Sequence, residues 1–269
     1  MGETCGPVVK KVVYGPVASW RLGRSLGIDL LCRAKTCSFD CIYCQLGLTR
    51  HKQTRREEFV PTSRAAAELD ALPAVEFDYL TFSGMGEPTL ASNLEEVIVE
   101  ARCRFSKPIA VLTNSSLLGQ PEVRAALSLA DVVVAKLDAP DAELFRRINR
   151  PANGVRFEEI IEGLRAFRAE SRSWLAIQVM FCRENRDRAS EIASLVRSIG
   201  PDEVQLNTPL RPSGTAPLPP QDMRRIRDAF ARLPVSSVYE ASKVAVHPLD
   251  ARETAARRPE AGAPSGGSP

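Results

Sequence analysis

Three cysteines share one short stretch, Thr36-Cys37-Ser38-Phe39-Asp40-Cys41-Ile42-Tyr43-Cys44-Gln45-Leu46-Gly47. Their C-x3-C-x2-C spacing follows an apolar run, Leu26 to Leu31, and reads as a loop. Thiolates are soft ligands, suited to zinc or to the iron of an iron–sulfur cluster. Three thiolates on one loop can each bind one iron of a [4Fe–4S] cube, and the spacing is too tight to wrap a fourth. The fourth iron then has no protein thiolate and is open to another ligand. An incomplete ligand set points to chemistry, whereas four cysteines point to electron transfer or structure. By itself the spacing also admits a zinc site, completed by Cys32 or His51, or three unrelated core cysteines.

A second stretch weighs on that choice, Phe82-Ser83-Gly84-Met85-Gly86-Glu87-Pro88-Thr89-Leu90. Glu76 to Ser83 reads as a buried strand that stops in glycines, which let the backbone approach a ligand closely. Glu87 and the exposed carbonyls beside it suit an ammonium group, because anionic and acceptor atoms converge on one point.

Together the two stretches resemble the radical S-adenosylmethionine superfamily. Cys37, Cys41 and Cys44 match its cluster motif, and Tyr43 supplies the aromatic usual before the last cysteine. Gly84, Met85, Gly86, Glu87 and Pro88 match the glycine-rich motif that holds the methionine amino group of the cofactor. The resemblance runs from about Tyr14 to Pro209. It implies a [4Fe–4S] cluster on the three cysteines and S-adenosylmethionine on the open iron. Reductive cleavage of that cofactor would give a 5′-deoxyadenosyl radical that abstracts hydrogen from an unidentified substrate. The family's strand-end positions map to Asn114 and Lys136 as further cofactor contacts, with Asp138 behind them. Lys136 suits the methionine carboxylate as a point charge; its bland alternative is a surface lysine. Gln178 and Met180 are read as structural.

A narrower resemblance lies in Leu137-Asp138-Ala139-Pro140-Asp141 and Arg147-Ile148-Asn149-Arg150-Pro151, which look like the tRNA wyosine-synthetase-related branch. The chain lacks that branch's N-terminal cysteine triplet for a second cluster. Tyr14-Gly15-Pro16-Val17 and Cys44-Gln45-Leu46-Gly47 look instead like a short subgroup of it, so the branch label does not name a substrate. The partners implied are an unidentified substrate (tRNA, peptide or small molecule) and a reductant such as flavodoxin or ferredoxin. Two rival readings stand beside this one. An activase acting on a partner protein would dock through the helix Gln221 to Leu233. A non-catalytic electron-transfer module would have no use for the amine-binding motif.

Elements must carry both loops to one place. Strands are expected at Leu26 to Cys32, Phe77 to Ser83, Pro108 to Thr113, Asp131 to Leu137, Trp174 to Cys182 and Glu203 to Leu206. Helices are expected between them at Ala65 to Leu72, Asn93 to Phe105, Glu122 to Leu129, Phe157 to Ala169 and Arg188 to Ile199, from apolar residues at helical spacing. Such alternation indicates a parallel sheet with right-handed crossovers. Six strand–helix units are too few for a closed barrel of eight, so a partial (β/α)6 barrel is expected, as the resemblance also implies. Both motifs then lie at the carboxyl ends of strands, where such sheets place ligands. The divisions expected are a lead-in over 1–24, a core over 25–209, an extension over 210–250 and a disordered tail over 251–269. Val235 to Val246 is read as a further strand.

Composition agrees with one domain of 269 residues and a full core, and excludes a disordered chain. No apolar run is long enough to span a bilayer, and Lys10 and Lys11 interrupt the only apolar start, which reads against a signal peptide. A cytoplasmic protein with reduced thiols is expected. Cys5, Cys32, Cys103 and Cys182 are read as buried small residues, Cys103 beside the apolar face of its helix. The net charge of +3 says little, and the clusters around Arg50, Arg146 and Arg224 read as solvated faces.

Overall fold

The computed structural model describes residues 11–31, 34–242 and 244–259. Cys5 and Cys32 lie outside them. One sheet of eight strands follows chain order from edge to edge. The first, β1 (Val13–Ser19), is antiparallel to β2 (Gly23–Ile28). From β2 the sheet continues in parallel through β3 (Tyr79–Phe82), β4 (Ile109–Thr113) and β5 (Val132–Lys136). It ends with β6 (Trp174–Met180), β7 (Glu203–Asn207) and β8 (Val235–Ser237). The edge strands β1 and β8 do not pair, so the sheet is an open partial barrel.

Helices fill each crossover: α1 (Thr62–Asp70), α2 (Leu94–Arg104), α3 (Pro121–Leu127), α4 (Ala142–Asn149), α5 (Phe157–Glu170), α6 (Ala189–Ile199) and α7 (Pro220–Ala229). An eighth, α8 (Ala251–Arg257), follows β8. Counted from β2 to α7 these are the six expected strand–helix units, α4 and α5 sharing one crossover. Amphipathicity explains the packing. In α2, Leu94, Val97, Ile98 and Ala101 recur at helical spacing and are buried. On the strands, Val133, Ala135, Leu175, Ile177, Val179, Val204 and Leu206 belong to the same core.

The alternating positions form the inner face, and there the sheet changes character. Ser25 and Thr81 are buried and hydrogen-bonded to each other at 2.7 Å. Lys136, Gln178, Gln205 and Ser236 stand in one register row across β5 to β8. A parallel sheet packed on both faces reads as apolar throughout. This inner face is polar at Ser25 and Thr81 and along the row from Lys136 to Ser236, where a ligand chamber would have its wall.

Several expectations need correction. The expected lead-in over 1–24 contains β1, an edge strand whose Pro16 lies at an irregularity between Tyr14 and Val17. The first parallel strand begins earlier and stops at Ile28, leaving Cys32 beyond its end. α4 was not foreseen, although Asp141 caps it by accepting from the Leu144 amide at 2.9 Å. β8 is a strand over Val235–Ser237 only, shorter than Val235 to Val246. Within the expected disordered tail over 251–269, Ala251–Arg257 is a helix with Arg257 buried. Cys103 is exposed. It lies two residues past the buried Ala101, about 200° around the helix, and so faces away from the core.

Candidate functional site

The cysteine loop and the glycine loop, far apart in sequence, lie against each other. The Thr36 amide donates to the Met85 carbonyl at 2.8 Å, and the Glu87 amide donates to the Thr36 carbonyl at 3.0 Å. This approach explains Gly86. Its φ is +152°, and a Cβ there would stand 1.6 Å from the Thr36 carbonyl oxygen. Gly84 leaves room for another group, since a Cβ would meet the Asp29 carboxyl carbon at 2.2 Å. Asp29, buried just past β2, accepts from the Met85 amide at 3.2 Å and from the Leu31 amide at 3.0 Å.

Glu87 points inward. Its Oε1 accepts from the Thr89 amide at 3.1 Å and from the Thr89 and Thr113 hydroxyls at 2.7 Å each. Its Oε2 accepts from the Asn114 amide at 2.6 Å. Burial pushes its carboxyl pKa up, against these donors, which pull it down. Glu87 therefore ties the glycine loop to the end of β4. Its side chain faces protein donors, and the turn Pro88–Leu90 begins on it.

The cysteine loop is held by the last turn of α4 and the residues that follow it. Asp40 N donates to the Asn149 carbonyl at 3.0 Å, Ile42 N to the Ile148 carbonyl at 3.0 Å, and Ala152 N to the Ser38 carbonyl at 2.7 Å. Arg150 turns the chain there in the left-handed region, at φ +44°. The Arg147-Ile148-Asn149-Arg150-Pro151 run is thus a cradle for the loop.

Donors reach the sulfurs themselves. Asn114 Nδ2 donates to Cys37 Sγ and Asn149 Nδ2 to Cys41 Sγ, each at 3.5 Å, and the Phe39 amide also meets Cys37 Sγ at 3.5 Å. Burial, with the charge of Asp138 next, pushes the Cys41 thiol up to about 11. Burial pushes Cys37 higher still, with Cys41 and Glu87 adding to it. Bound iron would take the place of those protons, because a coordinating thiol is deprotonated outright. Among the described residues no three His, Cys, Asp or Glu side chains are grouped to hold one metal ion. Three thiols on one loop suit a [4Fe–4S] cube, where each would bind a different iron.

Asp138 organises the far wall. It is buried and accepts from the Tyr43 hydroxyl, from Asn149 Nδ2 at 2.8 Å and from the Met180 amide at 2.7 Å. Burial, followed by Asp138, drives the Tyr43 phenol pKa well up. Lys136 Nζ lies 3.4 Å from Asp138 Oδ1, 3.3 Å from Gln178 Oε1 and 4.8 Å from the Tyr43 ring centre. The candidate cation is therefore already paired, and it is half-buried rather than a surface lysine. Asn114, Lys136, Asp138 and Asn149 line one small cavity with Phe39 and Phe145.

Sequence reasoning missed Asp29 as part of the site and gave Asn149 no role in it. No local pattern marks Asp29. Asn149 sits inside a noted motif, and its place at the end of a capped amphipathic helix is the available signal.

Comparison with known proteins agrees with this geometry. The Radical SAM superfamily model matches residues 32–196. A UPF0026 protein of Synechocystis sp. is 44% identical over 74% of this chain and 76% of its own length. A UPF0026 protein of Methanocaldococcus jannaschii is 35% identical over 82% of this chain and 70% of its own. Streptococcus suis SuiB, solved bound to S-adenosylmethionine, superposes with a TM-score of 0.57 at 16% identity, over 76% of this chain. The match spans 48% of SuiB's length and is a likeness of fold.

Proposed function

The chain belongs to the radical SAM superfamily, within its UPF0026 group, and from that premise we propose that it is a radical enzyme whose cluster sits on Cys37, Cys41 and Cys44. The family uses a [4Fe–4S] cluster and S-adenosylmethionine. When bound, these supply one electron and a cleavable carbon–sulfur bond, and so a 5′-deoxyadenosyl radical that abstracts hydrogen from an unreactive carbon.

The chain's own residues have four tasks in this reading. Cys37, Cys41 and Cys44 hold three irons and leave the fourth open. Gly84, Met85 and Gly86 bring their backbone close to the cofactor's methionine amino group, and Glu87 fixes the shape of that backbone from below. Lys136, beside the Tyr43 ring, and Asn114, against Cys37 and Glu87, orient the rest of the cofactor. Asn114, Asn149 and the Phe39 amide donate to cluster sulfurs and so set the potential at which an electron enters. The observation that carries the reading is the pairing of Thr36 with Gly86, which joins the cysteine loop to the glycine loop.

The electron would come from a small reductant such as a flavodoxin or ferredoxin. No described helix is long and apolar enough to cross a membrane, and the five described cysteines are free thiols, which suits a reducing cytoplasm. Iron and sulfide analysis with Mössbauer spectroscopy tests the ligand set. The anaerobically reconstituted protein should hold about four irons per chain, and the Cys37/Cys41/Cys44 triple-Ala variant none. A cubane in the triple variant would remove the assignment.

A further inference from the structure

The polar row on the inner face holds two buried amides whose hydrogen bonding the fold leaves incomplete. Gln178 on β6 and Gln205 on β7 are register partners, 7% and 2% exposed. Their strand neighbours Ile177, Val179, Val204 and Leu206 belong to the core on the opposite face, so both amides stand on the inner one. Gln178 Nε2 and Gln205 Oε1 are buried and have no hydrogen-bond partner in the protein. One is a donor and the other an acceptor on adjacent strands, yet they do not bond to each other. Buried polar atoms left unpaired are rare, and a complementary couple of them points to a ligand.

Charged neighbours fix which way round each amide sits. Lys136 Nζ can only donate, and it lies 3.3 Å from Gln178 Oε1. The free end of Gln178 is therefore its donor. The Glu203 carboxylate can only accept, and it takes Gln205 Nε2 at 3.0 Å. The free end of Gln205 is therefore its acceptor. Both charges are already engaged, because Lys136 lies 3.4 Å from Asp138 and Glu203 also accepts from the Ser236 hydroxyl. The pair thus offers an occupant one N–H donor and one carbonyl acceptor, with no net charge. It comes next in the row after Lys136, which touches the cysteine loop at Tyr43.

We infer that Gln178 and Gln205 recognise the substrate by reading a neutral amide edge, in which an N–H and a C=O lie side by side. Such an edge, present in a ring lactam or a primary carboxamide, donates to Gln205 Oε1 and accepts from Gln178 Nε2 together. This rests on the radical-enzyme reading above and names its substrate class. A phosphate or carboxylate supplies acceptors only and leaves Gln205 unmet. A trans peptide bond points its N–H and C=O to opposite sides and cannot serve both amides. A hydroxyl would have to serve two strands, about 4.8 Å apart, with one oxygen. Paired hydrogen bonds also select, since an analogue that lacks one of them leaves a buried amide without a partner.

The test is a ligand-observed NMR titration of the reconstituted full chain with uracil, which carries lactam edges, and benzamide, which carries a carboxamide. Their fully N-methylated counterparts lack the N–H, and benzyl alcohol offers a hydroxyl alone. At least one amide should bind saturably, and its methylated counterpart about tenfold more weakly or less. The better of the two tells a ring lactam from a carboxamide. Gln178→Glu keeps an acceptor for Lys136 but loses the free donor, and Gln205→Met loses the free acceptor. Each should weaken the amide about ten- to a hundredfold, the loss of one buried hydrogen bond. The exposed Arg225→Gln should leave binding unchanged, and circular dichroism checks that each variant is folded. Absence of saturable binding, equal binding of the methylated probe, or wild-type affinity in both glutamine variants overturns the proposal. Tighter binding of benzyl alcohol overturns the amide class. Displacement of the bound amide by S-adenosylmethionine assigns the pair to the cofactor and overturns the substrate role. A chain that cleaves S-adenosylmethionine yet binds neither amide would sink this inference and leave the earlier reading standing, and amide binding without cleavage would do the reverse.

Discussion

Arg257 Nε donates to Asp29 Oδ2 at 2.7 Å, and neither side chain is more than 1% exposed. The pair links the last described helix to the glycine loop, because Asp29 also accepts from the Met85 amide and occupies the space that Gly84 leaves. Arg257 is held in turn by Glu253 at 3.0 Å and lies 4.5 Å from the Tyr14 ring centre. The helix α8 is thus part of the site's foundation.

Removing one member of a buried pair strands the other charge. Arg257→Met should lower the unfolding free energy by about 3–5 kcal/mol, read from denaturant unfolding of the cluster-free chain. Asp29→Asn added to that variant should recover part of the loss, since the stranded charge is gone while the one amide oxygen still accepts from either the Leu31 or the Met85 amide, which bind different oxygens of Asp29. Wild-type stability in Arg257→Met would show that the pair contributes nothing.

Glu87→Ala leaves the Thr89 and Asn114 amides without their acceptor. Each buried unpaired amide costs about 1–3 kcal/mol, so the variant should be less stable and should also bind S-adenosylmethionine more weakly. Thr113→Val removes one hydroxyl donor and leaves the carboxylate otherwise held, so its effect should be smaller on both counts. Equilibrium dialysis and unfolding curves measured on the same preparations separate the two. Weakened binding at full stability would mean that Glu87 touches the cofactor directly and is not a support for the loop.

Asn149 and Asn114 donate to Cys41 and Cys37 sulfurs. Such donors stabilise the reduced, more negative cluster. Asn149→Ala should therefore lower the cluster's reduction potential while the iron content stays near wild type. One net hydrogen bond of about 1 kcal/mol corresponds to a shift on the order of tens of millivolts for one electron. Potentiometric titration followed by electron paramagnetic resonance reads the shift, and a raised potential would contradict the assigned direction.

How much of this was legible in the chain depends on range. The six strand–helix units follow from local periodicity, as in Leu94, Val97, Ile98 and Ala101, and the structure has them. The two motif loops were legible because cysteines and glycines at fixed spacing have few other uses. β1 was missed because Gly15 and Pro16 read as a turn, and an edge strand tolerates them. The Ala, Gly, Pro and Ser that dominate from Ala255 onward read as tail and hide α8, although Asp250 caps it through the Arg252 and Glu253 amides. The burial of Arg257 could not be read locally at all, since its partner Asp29 lies 228 residues earlier. Asp138 is legible as a strand-end candidate behind Asn114 and Lys136, but its partners Tyr43, Asn149 and Met180 come from three other segments.

The remaining described cysteines separate from the site. Cys103 is exposed on α2 and Cys182 is buried beyond β6, where the Asn185 side chain accepts from its amide at 2.8 Å. Cys103→Ser should leave iron content and stability unchanged. Cys182→Ala should keep the iron and cost about 1 kcal/mol through lost packing. Loss of about half the iron in either variant would indicate a second cluster.

The central claim is that the three-cysteine loop and the glycine loop together cleave S-adenosylmethionine. Anaerobically reconstituted protein should release 5′-deoxyadenosine and methionine from it in the presence of dithionite, measured by liquid chromatography with mass spectrometry. Cys41→Ala should release neither and should lack the brown absorbance of a cluster. Full cleavage by Cys41→Ala, or none by a wild-type protein that holds its four irons, would contradict the account.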